Sequence, residues 1–250
     1  MKKEGTLLEA KYQWSMTNGR SNEVNHRTKR MYRMLIFAAF LILHSSFLVS
    51  CSESDNSVEE YPNWKEKNEN YFNNLYTQTE LKVANYDKDW KILTKWSMQD
   101  SISKRPYDHI IVHVLKEGTG HDYPMYTDSV RVHYSGRLLP STSYPAGLEF
   151  DKSYSGTFDP ASSIPKTFKC SMLTDGFATA IMNMRIGDQW EIYIPYQLGY
   201  GVNGSTDSNG KTLIPGYSTL IFNVTLKSFY RANTVPPIFQ SKEFRGWFEE

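Results

Sequence analysis

The histidines and nucleophiles of this sequence do not form a familiar reacting set. The six histidines are His26, His44, His109, His113, His121 and His133. None belongs to an H-E-x-x-H run, in which two imidazoles one helical turn apart would hold zinc beside a glutamate base. His133, next to Tyr134 in a β-prone stretch, reads as a packed or exposed strand residue. Cys170 has only Lys169 as a basic neighbour, so an inert, semi-buried thiol is expected. The chain contains no G-x-S-x-G elbow or phosphate loop. Hydrolysis, phosphoryl transfer and redox chemistry therefore have no visible site, and no metal or cofactor is expected. What the chain has in excess is aromatic residues, 17 Tyr, 13 Phe and 6 Trp, many of them where turns and strand ends are expected.

The elements that must position these rings follow from periodicity. Trp64, Tyr71, Phe72, Leu75 and Tyr76 are spaced among polar residues as on one amphipathic helix over 64–79. Strands are expected over 90–98, 109–115, 129–138, 189–195 and 219–229, where β-branched and aromatic residues alternate between turn signals. A helix is expected over 174–184, with Phe177, Ala180, Ile181 and Met184 on one side and Gly187 as its stop. One short helix among antiparallel strands reads as α+β, the helix packed on one sheet face. No internal repeat is present.

In chain order, Val132-His133-Tyr134-Ser135-Gly136, Glu149-Phe150-Asp151-Lys152-Ser153, Asp175-Gly176-Phe177 and Met184-Arg185-Ile186-Gly187-Asp188 carry a family likeness. Two further stretches, 194–201 and 214–222, continue it. Over about residues 106–229 these motifs resemble those of FKBP-type peptidyl-prolyl isomerases. The resemblance implies a bent antiparallel β-sheet wrapped around one short α-helix, here with an N-terminal helical extension. It also implies an activity that needs no acid or base. Rotation about an X–Pro bond breaks amide resonance against a barrier near ~18–20 kcal/mol, and no covalent bond changes.

Carried over position by position, the resemblance makes Tyr134, Phe150, Phe168, Leu173 and Phe222 the walls of a proline pocket and Phe177 its floor. Asp151 would face the rotating carbonyl and be oriented by Tyr134. Thr174 would offer a backbone N–H and Tyr200 a hydroxyl to substrate carbonyls, and Ile214 would line the loop side. Read without the family, the same phenylalanines are equally plain core residues. Asp151 could be a turn residue, and Tyr200, between Gly199 and Gly201, an exposed turn aromatic. Phe177 stands where the best-known members carry Trp, and Thr174 where a β-branched hydrocarbon is usual. The stretches 152–166 and 202–212 are longer than usual, and the second is expected to border the cleft. These departures leave a catalytically weak FKBP-like binding module as the alternative function.

The net charge of +1 conceals two unlike parts. Residues 1–50 carry eight Lys/Arg against three Asp/Glu, whereas residues 51–250 carry 20 against 24. Neither the total nor the second part favours a nucleic-acid partner. Arg27, Lys29, Arg30 and Arg33 precede an unbroken apolar run, Met34 to Leu43, as in a secretory signal; the run is short for a transmembrane helix of about 20 residues. Leu48-Val49-Ser50-Cys51 resembles a bacterial lipobox, which would make Cys51 a lipidated first residue. The true start would then be Met31 or Met34. Ser52-Glu53-Ser54-Asp55 is weakly similar to export signals of Gram-negative surface lipoproteins. The expected organisation is a targeting segment (1–50), a lipidated tether with a helical and strand extension (51–105), an isomerase domain (106–229) and a tail (230–250). Expected partners are X–Pro polypeptides, and the membrane through the lipid anchor. The expected location is the outer membrane of a Gram-negative bacterium, facing the periplasm or the surface. Oligomeric state and the leaflet are left open by the sequence.

Overall fold

The β-prone runs expected from the sequence pair into one antiparallel sheet. The structure, a computed structural model, describes residues 58–98, 104–160, 162–232 and the backbone of 247–249. The readings on the apolar segment, the start site and Cys51 lie outside the described residues. In chain order the elements are helix α1 (Trp64–Ala84), then strands β1 (Trp90–Thr94), β2 (His109–Lys116), β3 (Ser129–Arg137), β4 (Glu149–Lys152) and β5 (Lys166–Lys169). Helix α2 (Asp175–Ile181) follows, then β6 (Gln189–Ile194), β7 (Ser205–Thr206), β8 (Thr212–Ile214), β9 (Leu220–Tyr230) and β10 (Trp247–Glu249). The main sheet runs β1-β2-β6-β9-β3-β4, with β5 also on β3 and β10 also on β9, while β7 and β8 form a separate hairpin. This is the expected α+β architecture.

Register explains which residues meet. Val112 faces Ile192, Ile192 faces Phe222, and Phe222 faces Gly136 across four neighbouring strands. Val114, Trp190, Val224 and Tyr134 form the next row on the same face, two residues away along each strand. Phe177, Ala180 and Ile181 of α2 are buried in the same core cluster as these rows. Gly176 permits the close approach of α2: a Cβ there would lie 2.3 Å from Ile194 Cγ2.

Several boundaries differ from the sequence expectation. The strand expected over 90–98 ends at Thr94, because the Lys95 N–H bonds to the Asp108 carbonyl and the Met98 N–H turns back to Lys95. Helix α2 stops at Ile181 rather than reaching Met184; the Met184 N–H bonds the Ile181 carbonyl in a tighter turn. Gly187 is therefore not that helix's stop. At φ +90° it takes the left-handed position that turns the chain into β6, and its N–H reaches the Leu226 carbonyl. Helix α1 continues past residue 79 to Ala84 and closes at Asn85, whose N–H bonds Leu81 and Lys82 carbonyls. In the expected tail, the backbone of β10 pairs with β9.

Helix α1 is joined to the sheet by buried polar contacts as well as apolar ones. Trp64, Asn68 and Phe72 are buried at i, i+4 spacing. The Trp64 indole donates to Ser218 Oγ at 2.9 Å, and the Thr219 N–H donates to Asn68 Oδ1 at 2.8 Å. Both partners lie immediately before β9.

Candidate active site

The cleft begins with two strands and a short connection. Ser153 ties β4 back to β3: the Tyr134 N–H donates to Ser153 Oγ at 3.0 Å, and the Ser153 N–H to the Tyr134 carbonyl at 2.9 Å. This pairing brings Phe150 and Asp151 beside Tyr134. The Tyr134 hydroxyl donates to Asp151 Oδ2 at 2.5 Å. Lys166 Nζ, from the start of β5, donates to the Tyr134 hydroxyl at 3.0 Å and lies 3.3 Å from Asp151 Oδ1. The Lys152 N–H donates to Asp151 Oδ1 at 2.8 Å. Burial, then the bond to Asp151, raises the Tyr134 pKa above the usual tyrosine value, so the ring stays a neutral phenol at physiological pH.

Five rings close the apolar part. Phe177 and Phe222 meet edge to face at 4.9 Å, and Phe150 and Phe222 at 5.4 Å with planes 89° apart. Tyr134 packs 6.2 Å from both Phe177 and Phe222, and 5.8 Å from Phe168. Gly136 makes room for them, since a Cβ there would sit 2.5 Å from Phe222 and 2.6 Å from Phe150. The result is a cleft of about 190 Å³ lined by Tyr134, Phe150, Asp151, Phe168, Met172, Leu173, Thr174, Phe177, Tyr200 and Phe222. Thr174 occupies the N-cap of α2. The Tyr200 pKa is raised by burial and then by the charge of Asp151.

Nine of the ten positions expected to touch substrate thus share one cleft. Ile214 does not: it is buried in β8, opposite Ser205, and lines no part of the cleft. The enlarged 202–212 stretch folds partly into the β7–β8 hairpin, and none of its residues lines the cleft either. Of the other long stretch, Phe158 packs on His133, on the opposite face of β3 from Tyr134, while its last residue, Lys166, reaches the site. Met172, Lys166 and Gly136 belong to the site although sequence reasoning gave them no role. Met172 adjoins Leu173, and Gly136 sits in a quoted motif, so both carried a positional signal; Lys166 carried none. Cys170 is fully buried and its thiol is pushed up to about 12 by burial, the inert state expected. Among the described residues no cluster of three His, Cys, Asp or Glu could hold a metal ion.

An antiparallel sheet on a short helix, with an aromatic cleft between them, defines an α+β domain built to enclose a small apolar group. Residues 120–227 match the family model described as FKBP-type peptidyl-prolyl cis-trans isomerase. It is 36% identical over 114 residues to the macrophage infectivity potentiator of Trypanosoma cruzi, covering 46% of this chain and 50% of that protein. It is likewise 36% identical over 113 residues to the FKBP-type 22 kDa peptidyl-prolyl cis-trans isomerase of Escherichia coli K12, covering 45% and 46%. With the outer membrane protein MIP of Legionella longbeachae it shares 30% over 119 residues, 48% of this chain and 43% of that one. The chain thus spans about half the length of these curated relatives.

Proposed function

We propose that this protein is a peptidyl-prolyl cis-trans isomerase that assists the folding of extracytoplasmic proteins. The observation that carries the reading is the convergence of Tyr134, Phe150, Phe177 and Phe222 with Asp151 on one open cleft. The rings would hold a proline by its apolar faces and exclude water. In a planar amide, resonance separates charge between oxygen and nitrogen; the twisted transition state loses that separation. A dry aromatic site therefore favours the twisted form over the planar one, which is the differential binding that catalysis requires. Asp151, held by the Tyr134 hydroxyl, Lys166 and the Lys152 N–H, would act as a fixed charge near the rotating carbonyl. It would transfer no proton.

The anchoring part of the proposal rests on sequence. Cys51, behind a basic flank and an apolar run, would carry lipid and hold the domain at the outer membrane of a Gram-negative bacterium, facing the periplasm or the surface. The name of the Legionella relative, an outer membrane protein, supports that location. Cys51→Ala should then release the protein from the membrane fraction; retention would refute the anchor.

The catalytic reading is tested with a proline tetrapeptide, whose spontaneous isomerisation takes about 10–100 s at 25 °C. Acceleration by micromolar protein is expected, and Phe150→Ala or Asp151→Val should reduce it. A rate equal to buffer would overturn the reading. One observation favours a second reading, an FKBP-like module that binds proline segments with weak turnover. The floor residue is Phe177, smaller than the indole expected from the family resemblance, so the proline ring would be held less firmly. Saturable peptide binding without acceleration would select this alternative.

A further inference from the structure

Tyr200 forms one wall of the cleft, and the backbone on both sides of it is clasped by two other tyrosines. The N–H groups of Gly199 and Gly201 both donate to the Tyr196 carbonyl, at 3.1 and 2.8 Å. The Tyr217 N–H donates to the Gly201 carbonyl at 3.0 Å. The Tyr196 and Tyr217 rings meet edge to face at 5.1 Å. Tyr217 stands at φ +62°, a left-handed conformation that a bulky residue keeps only where its surroundings enforce it.

Part of that enforcement comes from α1. Lys65 and Glu69, one helical turn apart, share a face of the helix. Glu69 Oε1 accepts a hydrogen bond from the Tyr196 hydroxyl at 3.1 Å. Lys65 Nζ lies 5.1 Å from the centre of the Tyr217 ring, within cation–π range. Trp64 and Asn68 hold Ser218 and Thr219, the two residues that follow Tyr217. No residue of α1 lines the cleft, and the helix lies outside the stretch that matches the family model. The Tyr200 side chain is 40% exposed, so its position depends on the backbone that carries it.

We propose that α1 is a positioning element of the active site. Glu69, acting through Tyr196 and its partner Tyr217, holds the Tyr200 hydroxyl where a substrate carbonyl meets it. The effect on rate rests on the isomerase reading; the effect on the placement of Tyr200 does not.

The test compares the full chain with Glu69→Ala, Glu69→Gln, Tyr200→Phe and the double variant Glu69→Ala/Tyr200→Phe. NMR follows the Tyr200 ring, assigned by the loss of its signals in Tyr200→Phe. Its resonances should shift in Glu69→Ala and return in Glu69→Gln, whose amide oxygen still accepts. In the tetrapeptide assay Glu69→Ala should lower kcat/KM about three- to tenfold. The loss should fall on KM, because the Tyr200 bond serves ground and transition states alike. In the Tyr200→Phe background the same change should cost nothing more, the mark of one residue acting through another. No acceleration by the unmodified chain would refute the isomerase reading alone, and the Tyr200 resonances would then decide the positioning role. Unmoved resonances in Glu69→Ala, or additive losses in the double variant, would overturn it.

Discussion

Gly136→Ala adds one methyl group at the most crowded point of the cleft. That methyl would lie 2.5 Å from Phe222 Cε1 and 2.6 Å from Phe150 Cζ, whereas carbon atoms settle at about 3.5–4.0 Å. At least one ring must retreat by about 1 Å. Phe222 is 6% exposed and locked between Phe150 and Phe177, so the partly buried Phe150 is the ring that moves, and it moves into the cleft. Overpacking of this kind costs about 1–3 kcal/mol. Lower chain entropy in the unfolded state offsets about 0.4–1 kcal/mol, since Gly136 does not need a positive φ. The net loss should be about 1–2 kcal/mol, a fall in Tm of roughly 2–8 °C for a domain of this size. Thermal unfolding followed by circular dichroism measures the first effect, and the tetrapeptide assay measures the second, a lower kcat/KM. An unchanged Tm with an unchanged rate would show that the two rings are not confined as described.

Other substitutions separate holding from shaping. Tyr134→Phe removes the hydroxyl between Asp151 and Lys166; with Asp151 half exposed the stability loss should be only about 0.5–1.5 kcal/mol, while isomerisation slows. A full loss of folding, or an unaltered rate, would contradict this role. Asn68→Ala leaves the Thr219 N–H without its partner, which should cost about 1–3 kcal/mol by urea unfolding; a neutral result would mean that α1 is not fastened there. His133 has a pKa below its ordinary 6.5, through burial and then Lys227 and Arg131. Its contribution to stability is present above 6.5 and lost as pH falls through the lowered value. Urea midpoints at about pH 7.5 and pH 5 should therefore differ, and His133→Gln should narrow the gap; an equal gap in the variant would refute the assignment.

Sequence reasoning succeeded where a residue's chemistry and its neighbours pointed the same way. The alternation in β3, β6 and β9 was legible because each strand has a face packed on the core, and β2 was legible through its β-branched run, which is buried on both faces. Phe150 and Asp151 were legible through their motif, and Ser153 at its end explains physically why the motif holds shape. Short strands such as β4 and β5 gave no periodic signal in four residues. Lys166 was hidden for a different reason. It reaches the site across a loop 15 residues from Asp151, and a lone lysine before a β-strand looks like any solvated charge. Ile214 was misplaced because a buried hydrophobe next to a proline fits a loop wall and a hairpin core equally well. Gly187 was read as a helix stop because a glycine near a helix end carries the same signal wherever the left-handed turn falls.

The fastening of α1 has a consequence for the order in which the chain can fold. Trp64 bonds Ser218 across 154 residues, and Asn68 bonds Thr219 across 151. β9, which joins β6 to β3 at the centre of the sheet, starts one residue later. Contacts of such separation cannot form until most of the chain has emerged, and folding dominated by them is slow. During synthesis, then, α1 waits for β9. A chain held open in this way settles only once its C-terminal part arrives.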